Sequence, residues 1–331
     1  MADAILHRSL RAMNWSTMDE ITRPGPHYKT ESAFAAAVTD RLKAYCQTNN
    51  VFHQDARRLL LRETFYSRLF ATAPDRWLLK GGSALAVRFE RFRFTQDIDC
   101  AFAHKPGDGF HESAYVAITQ ACARTDLDPF TFKIEKTQPL RNVDAGISMR
   151  IAAVLNSKLF DRFKVDIVAP TPLCGPIVQT APPRTIEVPD IPPCPHINLY
   201  PLEDHIADKV SGMYTKHGPR RIDSTRYRDL GDLDLILRQT RPDLHITEQA
   251  LILRERWRPG SIPRRIQSPG ASWRESFNEY ALDTGLNVSY NEAIIRLAHH
   301  LNPVLQRVHS SPVLQRTIVQ PLRRPDPGRE M

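Results

Sequence analysis

Two kinds of hydrophobic periodicity follow one another along the chain. Apolar residues recur three or four positions apart in residues 30–46 and 51–71, which predicts two helices. Three further segments favour strands, and apolar and polar positions alternate in the last of them: residues 130–136, 147–155 and 162–168. Helical spacing returns after residue 201. The pattern predicts an α+β fold with its strands in the first half and a mainly helical second half.

Proline is concentrated at the boundary between these halves. Ten of the 26 prolines lie within residues 170–201, and proline fixes φ and removes a backbone donor, so regular structure is not expected there. We therefore predict five segments: an N-terminal extension (1–30), a core (31–169), a proline-rich connector that wraps the surface (170–201), a helical C-terminal domain (202–310) and a loose Arg/Pro-rich tail (311–331).

Composition is that of an ordinary globular protein. Of the 331 residues, 41% are hydrophobic and 25% are charged. The net charge of +8 favours an anionic partner such as nucleic acid, although solubility alone accounts for an excess of this size. No apolar run is long enough to span a membrane, so no membrane partner is expected. The five cysteines are scattered without a CxxC pair, which indicates reduced thiols and a cytoplasmic protein.

Residues 79–99, LKGGSALAVRFERFRFTQDID, hold the strongest chemical signal in the chain. The Lys-Gly-Gly-Ser sequence at 80–83 can form a tight turn that brings backbone N–H groups close to a ligand. Residues 83–88 have helical character, so these groups are expected at a helix N-terminus, which favours phosphate. A double glycine followed by serine is also found in ordinary turns.

A pair of carboxylates ends the same segment. In a strand, the period of two puts Asp97 and Asp99 on one face and turns Ile98 towards the core. Two adjacent carboxylates repel each other unless a cation lies between them, and hard oxygen ligands suit Mg²⁺. The alternative is a solvated strand end. A phosphate-binding turn followed by a carboxylate pair is suited to metal-assisted phosphoryl or nucleotidyl transfer.

The alternating segment 162–168 supplies a candidate third carboxylate. Its apolar positions alternate with Lys164 and Asp166, which therefore share a face. If this strand neighbours Asp97 and Asp99, it presents Asp166 beside them. One DxD pair with a later aspartate on an adjacent strand resembles the core of polymerase-β-like nucleotidyltransferases. Without such neighbours, an aspartate at a strand end is unremarkable.

The helical half contains two charged candidates. Lys209 lies beside the buried stripe of its predicted helix, so its stem would be packed and its ammonium held where a nucleotide phosphate could be contacted. The alternative is a snorkelling surface lysine. Asp229 flanks the apolar stripe of the next helix and could orient Lys209 or Arg226, or act on an acceptor hydroxyl. The alternative is an Arg–Asp pair on the surface.

Two further clusters allow a structural and an RNA-binding interpretation. Four arginines share one face of the predicted helix at 51–71, a pattern that is most often solvated but that could contact RNA: Arg57, Arg58, Arg62 and Arg68. Aromatic residues recur at helical spacing at positions 273, 277 and 280. Such spacing usually indicates core packing, and base stacking is the other interpretation.

Three motifs in order resemble the AbiEii/MenT-type nucleotidyltransferase toxins. They are LLKGGSAL followed by RFRFTQDID (78–99), YPLEDHIADKVSGMY (200–214) and TRYRDLGDL (225–233). The resemblance implies a polymerase-β-like core, in which a small mixed sheet is flanked by helices, and a helical C-terminal half in a bilobed molecule. It implies a type IV toxin that transfers NMP to the 3′ end of tRNA, which blocks aminoacylation and translation, and a cognate antitoxin as partner. Ser83 stands where the family more often has threonine, and Gly231 where it often has an aromatic residue.

The resemblance also assigns roles to individual residues. With an NTP as substrate, Mg²⁺ or Mn²⁺ would be held by Asp97, Asp99 and Asp166. The nucleotide would be bound by Lys80, Gly81, Gly82, Ser83, Arg93 and Arg226. Catalysis would depend on four residues expected to converge on one cleft beside the double glycine, with the lysine clamping the triphosphate: Asp97, Asp99, Lys209 and Asp229. Phosphorylation of Ser83 would add about −1.5 to −2 charges where the triphosphate is expected, so it is predicted to inactivate the protein.

Two other functions are compatible with the sequence. One is a nucleotidyltransferase that acts on a small hydroxylated molecule or on a protein, which would not need an arginine-rich helical half. The other is a non-catalytic nucleotide- or RNA-binding regulator with the same fold, which would keep its cellular effect after loss of Asp97 or Lys209.

Overall fold

The computed structural model describes residues 27–89, 95, 97–104, 109–140, 145–182, 184–312 and 314. Within them the chain forms two compact units. The first contains the residues up to Pro172 together with Ile177–Tyr200, and the second contains Leu173–Pro176 together with the residues from Pro201 onward. The predicted nucleotide ligand Arg93, most of the predicted N-terminal extension and most of the predicted tail lie outside the described residues.

A mixed sheet of seven described strands forms the centre of the first unit. In chain order the strands are β1 (Trp77–Leu79), β2 (Asp97–Phe102), β3 (Thr131–Pro139), β4 (Gly146–Leu155), β5 (Lys158–Val168), β6 (Val178–Thr180) and β7 (Ile197–Leu199). They lie in the order β3-β4-β5-β2-β1-β7-β6. The pairs β2–β5 and β1–β7 are parallel, and the other neighbours are antiparallel. The three strands predicted from the sequence correspond to β3, β4 and β5.

Helices accompany this sheet because their apolar stripes need a partner surface. They are α1 (Glu31–Asn49), α2 (His53–Thr72), α3 (Gly81–Arg88) and α4 (Phe110–Cys122). Phe65 of α2 packs against the rings of Phe132 and Phe163 on the sheet, with centroids 5.3 and 5.0 Å away. Ile98 and Val165 belong to the same buried cluster. Since side chains alternate along a strand, the residues next to Ile98 on β2 and next to Val165 on β5 face away from this core. The predicted α+β fold class is confirmed.

The proline-rich stretch 170–201 differs from the prediction that it lacks regular structure. It contributes β6 and β7, and β7 is completely buried. Leu199 pairs with Leu79, and the Tyr200 N–H donates to the Leu79 carbonyl oxygen at 2.9 Å. Proline removes a ladder donor only at its own position, so the proline-free interval 196–200 suffices for an apolar three-residue strand.

Two of the four arginines on α2 are buried, which makes the prediction of a solvated arginine face wrong for them. Arg68 is fully buried, with Nη2 2.7 Å from Oδ1 of Asp128 and Nη1 2.8 Å from the Cys122 carbonyl oxygen. Arg62 is 4% exposed and donates to the Thr95 carbonyl oxygen. A guanidinium carries five donors in a fixed fork, so acceptors inside the protein can replace water around it.

The described part of the second unit consists mainly of helices, as predicted. They are α5 (Leu202–Tyr214), α6 (Tyr227–Gln239), α7 (Leu244–Trp257), α8 (Trp273–Asp283) and α9 (Tyr290–Ser310). Trp273, Phe277 and Tyr280 are buried, and Trp273 Nε1 donates to the Ser224 carbonyl oxygen at 2.7 Å, so the expectation of core packing is confirmed. None of the described helices combines the length and apolarity that a membrane crossing needs.

Candidate functional site

The double glycine forms a bend at the end of β1 that only glycine fits. Gly81 has φ +56°, in the left-handed region, and it begins α3 directly after the strand. A Cβ atom on Gly81 would lie 2.9 Å from the carboxyl carbon of Asp99. The missing side chain therefore lets the backbone turn and lets the Asp99 carboxylate pack against it.

The first turn of α3 is anchored to β2. Ser83 is fully buried, and its hydroxyl donates to the Asp97 carbonyl oxygen at 2.9 Å and accepts from the Asp99 N–H at 3.3 Å. The Lys80 N–H donates to the Asp99 carbonyl oxygen at 2.8 Å, and the Lys80 ammonium lies 4.2 Å from the centroid of the Tyr200 ring. The first N–H groups of a helix have no intrahelical acceptor, so this end of α3 offers donors to an anion beside the carboxylates.

Replacing Gly81 with Ala is expected to reduce the nucleotidyl transfer predicted from the sequence by about a hundredfold or more, the effect of a displacement of about 1 Å at a reacting group. The new Cβ would push Asp99 out of place, and the left-handed backbone would add about 1–2 kcal/mol of strain. The measurements are the transfer rate with labelled NTP and urea denaturation.

Gly218→Ala is the matched control for this prediction. Gly218 has φ +66°, and no heavy atom lies within 4 Å of a Cβ built on it. Both variants should therefore lose the stability that left-handed strain costs, Gly81→Ala should lose more because of the collision with Asp99, and only Gly81→Ala should lose activity. Equal activities of the two variants would contradict the close packing of Gly81 against Asp99 as a functional requirement.

Three carboxylates stand together on the face of the sheet opposite the core. Asp97 and Asp99 alternate with the buried Ile98 on β2, and Asp166 on β5 pairs in register with Asp99. The side chain of Asp97 is 39% exposed and that of Asp166 is 19% exposed. The predicted juxtaposition of Asp166 with the pair is therefore confirmed, on a face that a ligand can reach.

A lysine that the sequence argument did not select as a site residue lies between two of these carboxylates. The Lys164 ammonium is 3.0 Å from Oδ2 of Asp97 and 3.0 Å from Oδ2 of Asp166. Burial lowers the pKa of Lys164, but the hydrogen bonds that its ammonium donates to Asp97 and Asp166 outweigh this effect and raise the pKa. Lys164 is therefore charged at neutral pH and offsets the repulsion between the two carboxylates.

The donor chemistry of this face fits a hard divalent cation. Asp97, Asp99 and Asp166 offer carboxylate oxygens, and Oδ1 of Asp166 is buried without a hydrogen-bond partner. The ammonium of Lys164 marks where positive charge is needed. Among the described residues, no three His, Cys, Asp or Glu side chains are already gathered as a metal cluster. Lys164 contacts oxygens of Asp97 and Asp166 that a metal ion would also use, so an ion bound by these carboxylates would compete with the lysine.

Replacing Lys164 with Gln is expected to enlarge the rise in melting temperature that Mg²⁺ or Mn²⁺ produces. Without the ammonium the metal-free protein loses at most about 1 kcal/mol, because the ion pairs are partly exposed, and the metal no longer competes with the lysine. Thermal melts in EDTA and along a metal titration measure both effects. Lys158→Gln, an exposed lysine at the start of the same strand, is the control. Equal metal-dependent shifts in the two variants would show that Lys164 does not compete with the metal.

The second unit contains its own buried charge cluster, made by α5 and α6. The Lys209 ammonium lies 3.0 Å from Oδ1 of Asp229 and 2.6 Å from Oδ2 of Asp232, and all three side chains are at most 7% exposed. Burial lowers the pKa of Lys209, but the charges of Asp229 and Asp232 outweigh it and raise the pKa. An ammonium has three donors, and these two contacts use two of them.

Arg226 extends this cluster to the surface. Its Nε donates to Oδ2 of Asp229 at 2.7 Å, and its side chain is 55% exposed. Gly212 of α5 makes room for the contact, since a Cβ there would lie 3.1 Å from the Arg226 guanidinium carbon and 3.2 Å from Oδ2 of Asp229. Asp229 therefore contacts both Lys209 and Arg226, the two partners proposed for it from the sequence.

The predicted site residues fall into these two groups. In the first unit the structure brings together Lys80, Gly81, Gly82, Ser83, Asp97, Asp99 and Asp166. In the second it brings together Lys209, Arg226 and Asp229. Convergence of all four predicted catalytic residues on one cleft stays a prediction.

Sequence reasoning did not select three residues that complete the groups: Lys164, Asp232 and Gly212. The face that Lys164 shares with Asp166 was a usable signal for the first. The spacing of three between Asp229 and Asp232 on one helix was a signal for the second. Nothing in the local sequence marks Gly212, whose importance comes from the arginine that packs over it.

Comparison with known proteins gives a family match and two distant structural likenesses. The model of the family described as nucleotidyl transferase AbiEii toxin, type IV TA system, matches residues 65–303. No curated protein sequence matches the chain. The structure of JHP933 from Helicobacter pylori is 14% identical, with a TM-score of 0.41 over 81% of this chain and 97% of that one. The nucleotidyltransferase toxin MenT4 from Mycobacterium tuberculosis is 15% identical, with a TM-score of 0.43 over 85% of this chain and 98% of that one.

Proposed function

This chain belongs to the AbiEii nucleotidyltransferase toxin family of type IV toxin–antitoxin systems, and we propose that it transfers NMP from an NTP to the 3′ end of a tRNA. The observation that carries the proposal is the in-register placement of Asp166 beside Asp99, which in turn packs against the double-glycine bend. Blocking the 3′ end would prevent aminoacylation and translation. The excess of basic residues suits an RNA acceptor, since neutralised phosphates supply most non-specific affinity.

The metal in this proposal is Mg²⁺ or Mn²⁺, held by Asp97 and Asp99 with Asp166 as the third ligand. When bound, such an ion neutralises charge on the reacting phosphate and lowers the pKa of an attacking hydroxyl. The N–H groups of Gly81, Gly82 and Ser83 then bind the β- and γ-phosphates of the NTP, where the N-terminus of α3 favours negative charge.

The charge cluster of the second unit serves the triphosphate in this proposal. Lys209 donates its third N–H to a phosphate oxygen while Asp229 and Asp232 hold its ammonium in position. Arg226, which is half-exposed, adds a second cation. Asp229 orients both, because each of its oxygens accepts from one of them. The convergence of this cluster with Asp97 and Asp99 on one nucleotide is part of the proposal.

The test is incubation of the purified protein with total tRNA, Mg²⁺ and each labelled NTP in turn. Label on RNA that is removed by ribonuclease supports the proposal, and the four nucleotides in parallel give the base preference. Label found only on a small molecule or on protein would show that RNA is not the acceptor. Absence of any transfer, together with a cellular effect that survives Asp97→Ala and Lys209→Ala, would indicate a non-catalytic binder.

Membership in a toxin–antitoxin family implies a cognate antitoxin, and we propose phosphorylation of Ser83 as one means of silencing the protein. The fully buried Ser83 hydroxyl is bonded to β2, so modification requires the first turn of α3 to open. A phosphate there would add about −1.5 to −2 charges beside Asp97 and Asp99.

Ser83→Asp is expected to abolish transfer, because it places a buried carboxylate against β2 beside Asp97 and Asp99, next to the proposed triphosphate site. Ser83→Ala removes the hydroxyl without adding charge, and we expect it to retain most of the activity. The same labelled-NTP assay compares the two variants. Full activity of Ser83→Asp would reject the regulatory proposal.

A further inference from the structure

A row of cations crosses the solvent face of the sheet and ends at the carboxylates. Lys136 on β3 pairs in register with Arg150 on β4, Arg150 pairs with Lys164 on β5, and Lys164 pairs with Asp97 on β2. Side chains of directly paired residues project from the same face of a sheet. At about 4.8 Å between strands, the row from Lys136 to Asp97 is about 14 Å long.

The two outer cations of this row are available for a ligand. Lys136 and Arg150 are exposed, and in the part of the chain that the structure describes neither lies within salt-bridge distance of a carboxylate. The nearby Glu135, which lies at a bulge in β3, is instead paired with Arg162 at 2.8 Å. The pKa of Glu135 is lowered mainly by its hydrogen bond with Arg162, and the charge of Arg150 adds a smaller effect. Lys164 forms the inner end of the row, where it contacts Asp97 and Asp166.

The strand order separates this row from the phosphate-binding bend. β2 lies between β5 and β1, and the bend follows β1 directly. The carboxylates of β2 therefore have Gly81 on one side and the cation row on the other. In phosphoryl transfer the attacking and leaving oxygens lie roughly in line, on opposite sides of the reacting phosphorus. If pyrophosphate leaves on the side of the bend, the acceptor hydroxyl must approach from the side of the row.

We propose that Lys136, Arg150 and Lys164 bind the phosphodiester backbone of the RNA acceptor and lead its 3′ end to Asp97. This inference rests on the proposed function and adds the surface that holds the acceptor. Evenly spaced cations along a line suit a polyanion, whereas a small hydroxylated molecule would reach only the inner end. A strand of RNA on this row contacts the protein through phosphates, so binding is tolerant of base sequence and sensitive to salt.

The experiment compares wild-type protein with the double variant Lys136→Gln/Arg150→Gln in binding a labelled single-stranded RNA and bulk tRNA across a salt series. Loss of two phosphate contacts should reduce the slope of log affinity against log salt by about 1.4, because each contact on a single strand contributes about 0.7. In the transfer assay, KM for RNA should rise while kcat is kept. NTP binding without RNA, followed by thermal shift, should not change.

The matched control is Arg41→Gln/Lys158→Gln, which removes the same two charges from exposed positions on α1 and at the start of β5. If the two double variants bind RNA with equal affinity, the assignment of the cation row to RNA is wrong. The proposed function would still stand in that case, provided that the wild-type protein transfers label to RNA. If Lys136→Gln/Arg150→Gln binds NTP more weakly than the wild type, the row binds the triphosphate and its assignment to RNA is wrong. RNA binding that depends on the row without any transfer to RNA would support the surface and reject the proposed function.

Discussion

Asp99→Asn is expected to reduce nucleotidyl transfer by about three orders of magnitude. A bound metal contributes several kcal/mol to the transition state, and each ~1.4 kcal/mol corresponds to a factor of ten in rate. Asn keeps the shape of the side chain but removes the negative charge, so the packing against Gly81 is preserved. Asp99 connects the double-glycine bend with the carboxylates of the sheet, since it packs against Gly81 and pairs in register with Asp166.

The measurement for this prediction is the initial rate of label transfer to the proposed tRNA acceptor at saturating NTP and metal. Urea denaturation of the same preparation establishes that the fold is retained. Asp40→Asn, at an exposed position on α1, removes one carboxylate charge elsewhere and should keep wild-type activity. A rate for Asp99→Asn within tenfold of wild type would exclude Asp99 as a metal ligand needed for the reaction.

Lys209→Met is expected to cause the largest loss of stability, about 3–5 kcal/mol, because breaking a buried ion pair leaves its partner uncompensated. Here Asp229 and Asp232 would both lose the ammonium that lies between them, while Asp229 would keep its contact with Arg226. The raised pKa of Lys209 has the same origin, since both carboxylates favour its charged form. Activity should be lost together with stability.

A charge-balanced variant separates the catalytic contribution of Lys209 from the structural one. In Lys209→Met/Asp232→Asn the remaining carboxylate, Asp229, is still paired with Arg226, so most of the lost stability should return. Activity should stay lost, because the proposed contact between Lys209 and the triphosphate is absent from this variant. Urea denaturation of the two single variants and the double variant gives the coupling energy. Recovery of activity in the double variant would show that Lys209 has a structural role only.

Local periodicity predicted the parts of the fold and site that depend on a single element. The alternation around Asp97 and Asp99, and that around Asp166, predicted which side chains face away from the core, and the strand pairing then placed them together. The apolar stripe of residues 273, 277 and 280 likewise predicted burial. In each case the repeat of the strand or helix determines on which side of the element a side chain lies, and that side determines whether the side chain is buried or exposed.

The features that the sequence did not predict depend on partners far along the chain. Arg68 is buried because Asp128 and three carbonyl groups receive its donors, and no pattern within α2 contains that information. The position of Lys164 between two carboxylates required the register of β2 against β5. β7 forms among prolines because β1 offers it an edge. Tertiary pairing decided these cases against local propensity.

The pairing of β1 with both β2 and β7 also has a consequence for biosynthesis. Leu79 meets Cys100 on one side and Leu199 on the other, so the strand that leads into Gly81 acquires its second neighbour only after residue 199 has left the ribosome. A nascent or prematurely terminated chain that ends before β7 exposes an apolar strand edge, which is a target for aggregation or for chaperones. Incomplete copies of such a toxin would therefore be cleared as misfolded protein rather than accumulate as active fragments.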